Sequence, residues 1–169
     1  MPSQKNKTPA PPFSQIVRDP AQFLGYGLGS GLITPAPGTW GTLAGLILFL
    51  PVVLWSETAA WVLLVLGLLA GSWICGKSAE AIGVHDHGGI VWDEFVGIWV
   101  VLILLPEQSW PWWLAAFVGF RVFDIAKPWP IDWVDRKVSG GLGILLDDVL
   151  AGLMALAAIW LGAFGLRFL

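Results

Sequence analysis

The chain has 169 residues and a formal net charge of −3, with 12 acidic and nine basic side chains. Hydrophobic residues make up 56% of it and charged residues only 12%, about half the charged share of an average soluble domain. These proportions argue against a soluble monomer, and the negative charge argues against binding to nucleic acid, which requires a basic surface. Cys75 is the only cysteine, which excludes a disulfide framework and a cysteine-rich zinc site.

The first 20 residues contain five prolines and three basic side chains, and they lack an apolar core. This composition predicts a disordered arm over residues 1–20 rather than a cleaved signal peptide. The length of the chain predicts one further folded unit, a single membrane-embedded domain over residues 21–169.

Long uncharged stretches follow in chain order, and they predict an all-α, polytopic membrane bundle of about five helices. Residues 58–76 and 149–166 have the length of about 20 residues that a helix needs to cross the hydrocarbon. A soluble helical protein with an unusually apolar core is the alternative, but several of the 12 tryptophans gather near stretch ends, as at a membrane interface. The five stretches are residues 20–56, 58–76, 95–106, 108–120 and 149–166.

Three of these stretches are less regular. In the first, the apolar run at residues 42–55 is about one turn short of a span unless residues 38–41 join it, and Pro51 should kink or end the helix. The third and fourth stretches reach a spanning length only if charged neighbours belong to their helices. These neighbours are Asp93, Glu94, Arg121 and Asp124.

If the five helices alternate in direction, nearly all of the polar sequence falls on one side of the membrane. Eight of the nine basic residues share that side, and the positive-inside rule makes it cytoplasmic. The pattern therefore predicts a cytoplasmic N-terminus and a working surface that faces the cytosol at the membrane boundary.

Five acidic residues lie at the polar ends of the apolar stretches: Asp93, Glu94, Asp124, Asp147 and Asp148. A carboxylate without a compensating charge is costly at the edge of the hydrocarbon, and the nearby basic side chains are fewer than the acids. A hard divalent cation would offset the surplus through oxygen ligands, and Mg²⁺ suits this set. The alternative is that Asp93 and Asp147 cap helices while the others form salt bridges.

Two further groups of polar residues are candidates for chemistry. His85 or His87, just before the third stretch, could donate a proton to a leaving oxygen, or could be a solvated turn residue. Arg121, Lys127 and Arg136 lie around a turn made rigid by two prolines, which suits a phosphate clamp. Attraction to anionic lipids is the alternative for these basic residues.

The sequence from 25 to 42 is rich in glycine. Its backbone N–H groups could form an anion nest, although a packing or re-entrant loop is the alternative. Gly41 with Gly45, and Gly67 with Gly71, form small-xxx-small pairs that would let helices approach closely, unless they arise by chance in a glycine-rich chain.

Residue types also limit the reaction class. The chain lacks the cysteine-phosphatase loop, the aspartyl-nucleophile motif and the paired motifs of histidine-nucleophile lipid phosphatases, so metal-assisted phosphate hydrolysis remains. A cation or proton transporter is the main alternative, because acids within membranes also mark ion pathways. A non-catalytic membrane scaffold is the third possibility.

Three strings carry a resemblance to a known family: GLGSGLITPAPGTWGTLAG, GVHDHGGIVWDEFVGIW and FRVFDIAKPWPIDWVDRKVSGGLGILLDDVLAG. They resemble the signature blocks of bacterial phosphatidylglycerophosphatase A and fall within roughly residues 25–152. The resemblance implies a magnesium-dependent enzyme of the bacterial inner membrane that converts phosphatidylglycerophosphate into phosphatidylglycerol, a step of phospholipid synthesis.

Together, these observations predict specific roles. The five acids form the pool of Mg²⁺ ligands, and Asp93, Glu94, Asp124 and Asp148 are also expected to be catalytic. Arg121, Lys127 and Arg136 are expected to neutralise the substrate phosphate. His85 is expected to protonate the departing glycerol oxygen.

Overall fold

The computed structural model describes residues 9–84 and 87–166, and every regular element within these ranges is helical. Two short helices, α1 (Phe13–Ile16) and α2 (Pro20–Gly25), and a 3₁₀ helix (Gly27–Leu32) precede the longer elements. The helices that follow are α3 (Pro37–Trp55), α4 (Glu57–Ile82), α5 (Trp92–Ile103), α6 (Trp110–Ala126), α7 (Ile131–Lys137) and α8 (Gly140–Leu166). The all-α prediction is confirmed.

The N-terminal segment is described from residue 9 onward, so only part of the predicted arm can be located. Its one-turn helix α1 contains Ile16, which is fully buried. Asp19 caps α2 by accepting a hydrogen bond from the Ala21 N–H at 2.9 Å, as expected for an aspartate before a helix that begins with proline.

Each of the main apolar stretches forms one helix. α3 includes the additional turn at residues 38–41 and continues through Pro51 to Trp55, so Pro51 does not end it. Ser56 caps α4, and Gly83 ends it with a positive φ of 71°, a common helix stop. α6 ends at Ala126, and its C-cap residue Lys127 directly precedes Pro128, where the sequence predicted the end of the helix.

Helix α5 forms the centre of the bundle and packs against α3, α4, α6 and α8. All of its residues except Glu94 are buried. Its 12 residues extend about 18 Å, well short of the roughly 30 Å hydrocarbon core. Most of its apolar surface is therefore covered by protein, and neighbouring helices rather than lipid set its environment.

Glycines allow the helices around α5 to approach closely. A Cβ atom on Gly45 would lie 3.0 Å from the Phe95 Cα, and one on Gly67 would lie 2.9 Å from the Trp99 ring. The small-xxx-small pairs are thus packing positions, and the explanation by chance is wrong for them.

The predicted alternation of helix directions is seen in contacts at one end of the bundle, here called the site end. The second half of α4 meets the start of α8, where a Cβ on Gly141 would lie 1.9 Å from the Ser72 carbonyl oxygen, and Ser78, nearer the end of α4, lies beside Gly25 in the segment before α3. The start of α5 meets the end of α6 through Glu94 and Arg121. The starts of α3, α5 and α8 and the ends of α4 and α6 therefore share the site end.

Three helices, α3, α4 and α8, are long and apolar enough to cross a membrane. Helices α5 and α6, with 12 and 17 residues, are shorter than such a span. A membrane protein is thus supported, while the count of about five membrane helices and the cytoplasmic N-terminus stay predictions.

Candidate active site

One cavity at the site end gathers all five acidic residues that the sequence singled out. Its volume is about 110 Å³, and its lining also includes Lys127 and two residues of the loop before α5. The acids come from the start of α5, the end of α6 and the third turn of α8, so residues separated by more than 50 positions share one small space. The lining consists of Gly88, Ile90, Asp93, Glu94, Asp124, Lys127, Asp147 and Asp148.

The helix boundaries argue against capping as the role of these acids. Helix α8 begins at Gly140, so Asp147 and Asp148 lie in its third turn rather than at its N-terminus. The N-cap position of α5 is Val91, which makes no side-chain capping hydrogen bond, and Asp93 lies within the helix, two residues after the cap. The alternative in which Asp93 and Asp147 cap their helices is therefore wrong.

Three of the acids form a compact group of oxygens. Asp93, Glu94 and Asp148 each place one carboxylate oxygen within 4.8 Å of the others. One oxygen of each of these side chains is also buried without a hydrogen-bond partner among the described residues. Burying such oxygens without a donor is costly, and a divalent cation with oxygen ligands would compensate them. The donor set therefore fits a Mg²⁺ ion.

The other two acids are paired with cations that the sequence placed nearby. Arg121 hydrogen bonds to Asp124, three residues away on α6, and its Nη1 atom lies 3.8 Å from Glu94 Oε1. Lys127 forms ion pairs with Asp147 and with Asp135, the latter at 2.9 Å. Both cations thus lie at the edge of the acidic cavity.

Lys127 has an unusual backbone conformation and a raised side-chain pKa at the edge of the acidic cavity. Its φ of 41° lies in the left-handed region, which costs a residue with a side chain about 1–2 kcal/mol. Burial by itself lowers the pKa of the ammonium, but the carboxylates of Asp147 and Asp135 outweigh it and raise the pKa above its ordinary value. The side chain therefore stays protonated across the physiological pH range.

Arg136 takes a different place from Arg121 and Lys127. Its guanidinium pairs with Asp132 on α7 at 2.6 Å, and 67% of its side chain is exposed. It is not among the residues that line the acidic cavity. The turn thus brings two of its three predicted phosphate-binding residues to the acids.

His85 lies outside the described residues, so its predicted role is not located. His87 is buried, and its Nδ1 atom accepts a hydrogen bond from the Gly89 N–H at 3.0 Å and lies 3.4 Å from the Tyr26 hydroxyl oxygen. Burial raises the pKa of Tyr26, which stays a neutral phenol. His87 therefore organises the loop whose residues Gly88 and Ile90 line the cavity.

Gly38, at the start of α3, has a role at the site that sequence reasoning missed. A Cβ atom there would lie 2.3 Å from Glu94 Oε1 and 3.2 Å from the Arg121 Nη1 atom, so only glycine lets the α3 backbone come this close. In the sequence, the one feature that pointed to Gly38 was its position in the glycine-rich segment at residues 25–42. Elsewhere in that segment the glycines are packing positions: a Cβ on Gly31 would lie 2.0 Å from the Gly89 carbonyl oxygen.

The chain is similar to known proteins over most of its length. The phosphatidylglycerophosphatase A family model matches residues 23–163. Phosphatidylglycerophosphatase A of Haemophilus influenzae is 50% identical over 145 residues, which cover 84% of this chain and 88% of that protein. The Escherichia coli protein of the same name is 45% identical over 84% of this chain and 83% of its own length.

A third relative carries a different name. A Bacteroides thetaiotaomicron protein with the provisional name phosphatidylinositol-3-phosphatase is 37% identical over 81% of this chain and 89% of its own length. No solved structure matches the chain. The named relatives are phosphatases, which does not favour the transporter alternative.

Proposed function

Because the chain belongs to the phosphatidylglycerophosphatase A family, we propose that it hydrolyses phosphatidylglycerophosphate to phosphatidylglycerol and phosphate with the help of Mg²⁺. The names of the two bacterial relatives supply the substrate. The observation that carries the proposal is the group of Asp93, Glu94 and Asp148, whose oxygens lie within 4.8 Å of one another next to two cations at one end of an apolar bundle.

Asp93, Glu94 and Asp148 would hold the metal ion. Their buried oxygens lack donors among the described residues, so they are available as ligands. When bound, Mg²⁺ supplies charge that polarises the phosphoryl oxygens and lowers the pKa of a bound water. Asp124 and Asp147 belong to the same acidic pool, and their ion pairs with Arg121 and Lys127 also hold those cations in place.

Arg121 and Lys127 would bind the phosphate monoester. The guanidinium can donate two hydrogen bonds to neighbouring phosphate oxygens, and the ammonium contributes a compact positive charge. Both already face carboxylates that fix their direction, so little side-chain entropy is lost when the substrate enters. Arg136, exposed on α7, would meet the headgroup from solvent, and His85 would protonate the glycerol oxygen.

We place the site at the headgroup level of the bacterial inner membrane, facing the cytosol. Three helices could span a bilayer. If the helices alternate in direction, eight of the nine basic residues fall on the side that holds the polar sequence, and the positive-inside rule makes that side cytoplasmic. A lipid phosphatase needs its acids at this level because the phosphate it attacks lies there.

The test is phosphate release by the purified protein from phosphatidylglycerophosphate in detergent. We expect turnover that excess EDTA abolishes and added Mg²⁺ restores. Thermal unfolding gives a second readout, because an ion that binds only the folded state stabilises that state. Full activity in excess EDTA would contradict the metal role, and cation flux in proteoliposomes without phosphate release would favour the transporter.

A further inference from the structure

A second cavity lies beside the acidic one, on the surface formed by α6 and the start of α3. This α6 groove has a volume of about 410 Å³ and an almost entirely apolar lining. Its main lining residues are Thr39, Phe117, Val118, Arg121, Val122 and Ile125. Val118, Val122 and Ile125 are all exposed, so the groove is open along the side of the bundle.

Arg121 lines the α6 groove and contacts two acids that line the acidic cavity. Its guanidinium reaches Asp124 and Glu94 in the acidic cavity, while the residue also lines the α6 groove. Long basic side chains commonly lie along apolar surface with the charge held at a polar boundary. The groove therefore adjoins the candidate active site at Arg121, one of the proposed phosphate-binding cations.

The direction of the groove matches that of a phospholipid. Ile125 lies near the end of α6, at the level of the acids, and Phe117 lies eight residues earlier, about 12 Å deeper along the helix axis. The groove thus runs along the outer surface of the bundle, from a charged end at the site to an apolar end at about half the height of α6. A lipid with its phosphate at Arg121 would extend its chains along this path.

Apolarity alone does not distinguish this groove, since a membrane helix is apolar wherever it faces lipid. A second groove, the α4 groove, has a volume of about 250 Å³ and is lined by Trp61, Val62, Val65 and Leu66. All four of these residues are apolar, and they lie near the start of α4, away from the site end. Of these two grooves, the α6 groove is the one that has a cation of the site, Arg121, in its lining.

We propose that the α6 groove binds an acyl chain of the phosphomonoester lipid while the phosphate lies at Arg121, an inference that rests on the proposed function. An acyl chain that moves from the bilayer into the groove stays in an apolar environment, so the hydrophobic effect adds little to the free energy of lipid binding. The groove acts instead by orientation, because it fixes the lipid relative to the acids and so favours productive approach of the phosphate. Thr39 lines the groove, and the neighbouring Gly38 approaches Glu94 and Arg121 closely.

The test compares two matched pairs of variants. Val118→Trp fills the α6 groove and Val65→Trp fills the α4 groove, and these valines are 49% and 48% exposed. Val122→Trp and Val62→Trp form a second pair, each at a valine that is 55% exposed. Each full-length variant is assayed for kcat/KM on long-chain phosphatidylglycerophosphate and on a water-soluble analogue with four-carbon acyl chains.

We expect Val118→Trp to lower kcat/KM for the long-chain lipid about 10-fold and to change that for the short-chain analogue less than 2-fold. Val122→Trp should behave in the same way, and both α4-groove variants should match the wild type on both substrates. Thermal unfolding checks that each variant is folded. If one member of the first pair does not fold, the second pair provides the comparison.

Three outcomes would overturn the inference. If Val118→Trp and Val122→Trp both match the wild type on the long-chain lipid, the groove holds an ordinary bilayer lipid or a second copy of the chain. If they impair both substrates equally, they act at the headgroup. In both cases the proposed function survives, whereas a wild-type protein that releases no phosphate from either substrate would overturn it together with the groove.

Discussion

The two ends of the bundle treat their polar groups in opposite ways. At the site end, Asp93 and Asp148 are buried with oxygens that lack donors among the described residues. At the opposite end, the Gln108 side-chain amide donates to the Leu102 carbonyl oxygen at 2.7 Å and accepts from the Trp113 indole N–H at 3.1 Å. At the site end, buried carboxylate oxygens are left available to a ligand that enters the cavity. At the opposite end, the partly buried polar side chain of Gln108 has hydrogen-bond partners within the protein.

This difference separates function from stability. Buried polar groups that are fully paired help to fix a structure, and unpaired ones destabilise it unless a ligand compensates them. Substitutions at the site end should therefore affect activity more than stability, and substitutions at the opposite end should do the reverse.

The largest expected effect is that of Asp148→Asn. It removes a carboxylate that is 3% exposed and one of the three grouped oxygens. Since a metal ion contributes several kcal/mol to the transition state, we expect phosphate release to fall at least about 100-fold. Thermal stability without Mg²⁺ should be unchanged or higher, because the buried acids repel one another, and the stabilisation by added Mg²⁺ should be lost.

Glu80→Gln is the matched control for this substitution. Glu80 is also acidic and lies near the site end of α4, but it pairs with Lys77 on the surface, where an ion pair contributes little. Its activity and its response to Mg²⁺ should equal those of the wild type. An Asp148→Asn protein with normal turnover and normal stabilisation by Mg²⁺ would refute the contrast between the two ends.

Gly38→Ala should have the next largest effect. The new methyl group would lie 2.3 Å from Glu94 Oε1, so Glu94 or the start of α3 must move, and Arg121 with them. We expect kcat/KM to fall about 10- to 100-fold, since displacements near 1 Å at a site have effects of this size. The fall in kcat/KM is measured from phosphate release over a range of substrate concentrations.

Gly162→Ala, in α8, provides the comparison for Gly38→Ala. Among the described residues, no atom beyond the neighbouring helix backbone lies within 4 Å of a Cβ atom at this position, and alanine is favoured over glycine within a helix by up to about 1 kcal/mol. This variant should keep full activity and unfold at the same or a slightly higher temperature. Full activity in Gly38→Ala would mean that the close approach of α3 does not fix the site.

Hydropathy and charge were sufficient to predict the all-α fold, the long apolar helices and the side of the bundle on which the polar groups gather, but not the short helices α1, α2 and α7. They predicted the convergence of Asp93 with Asp148 because alternating helices bring every second loop to the same side. The pairing of Arg121 with Asp124 followed from their spacing of three residues on a helix.

Other features could not be predicted for physical reasons. The central burial of α5 was missed because an apolar helix has the same composition whether lipid or protein surrounds it. The early start of α8 was missed because Gly140 and Gly141 are poor helix formers, although close packing on α4 requires small residues there. The role of Gly38 depends on the missing side chain and on residues more than 50 positions away, so no local pattern reveals it.

Apart from the control variants, Gln108→Leu should have the smallest effect on activity, and it tests the opposite end of the bundle. Leucine removes both hydrogen bonds of the side chain, which leaves the Leu102 carbonyl and the Trp113 N–H without their partner. In this partly buried setting, we expect the free energy of unfolding to fall by about 1–2 kcal/mol, measured by thermal unfolding in detergent. Phosphate release at 25 °C should stay within 2-fold of the wild type, since the loop lies at the other end of α5 from Asp93. If the variant instead lost activity at unchanged stability, the completed hydrogen bonds of that end would serve the reaction, and the separation of function from stability along the bundle would fail.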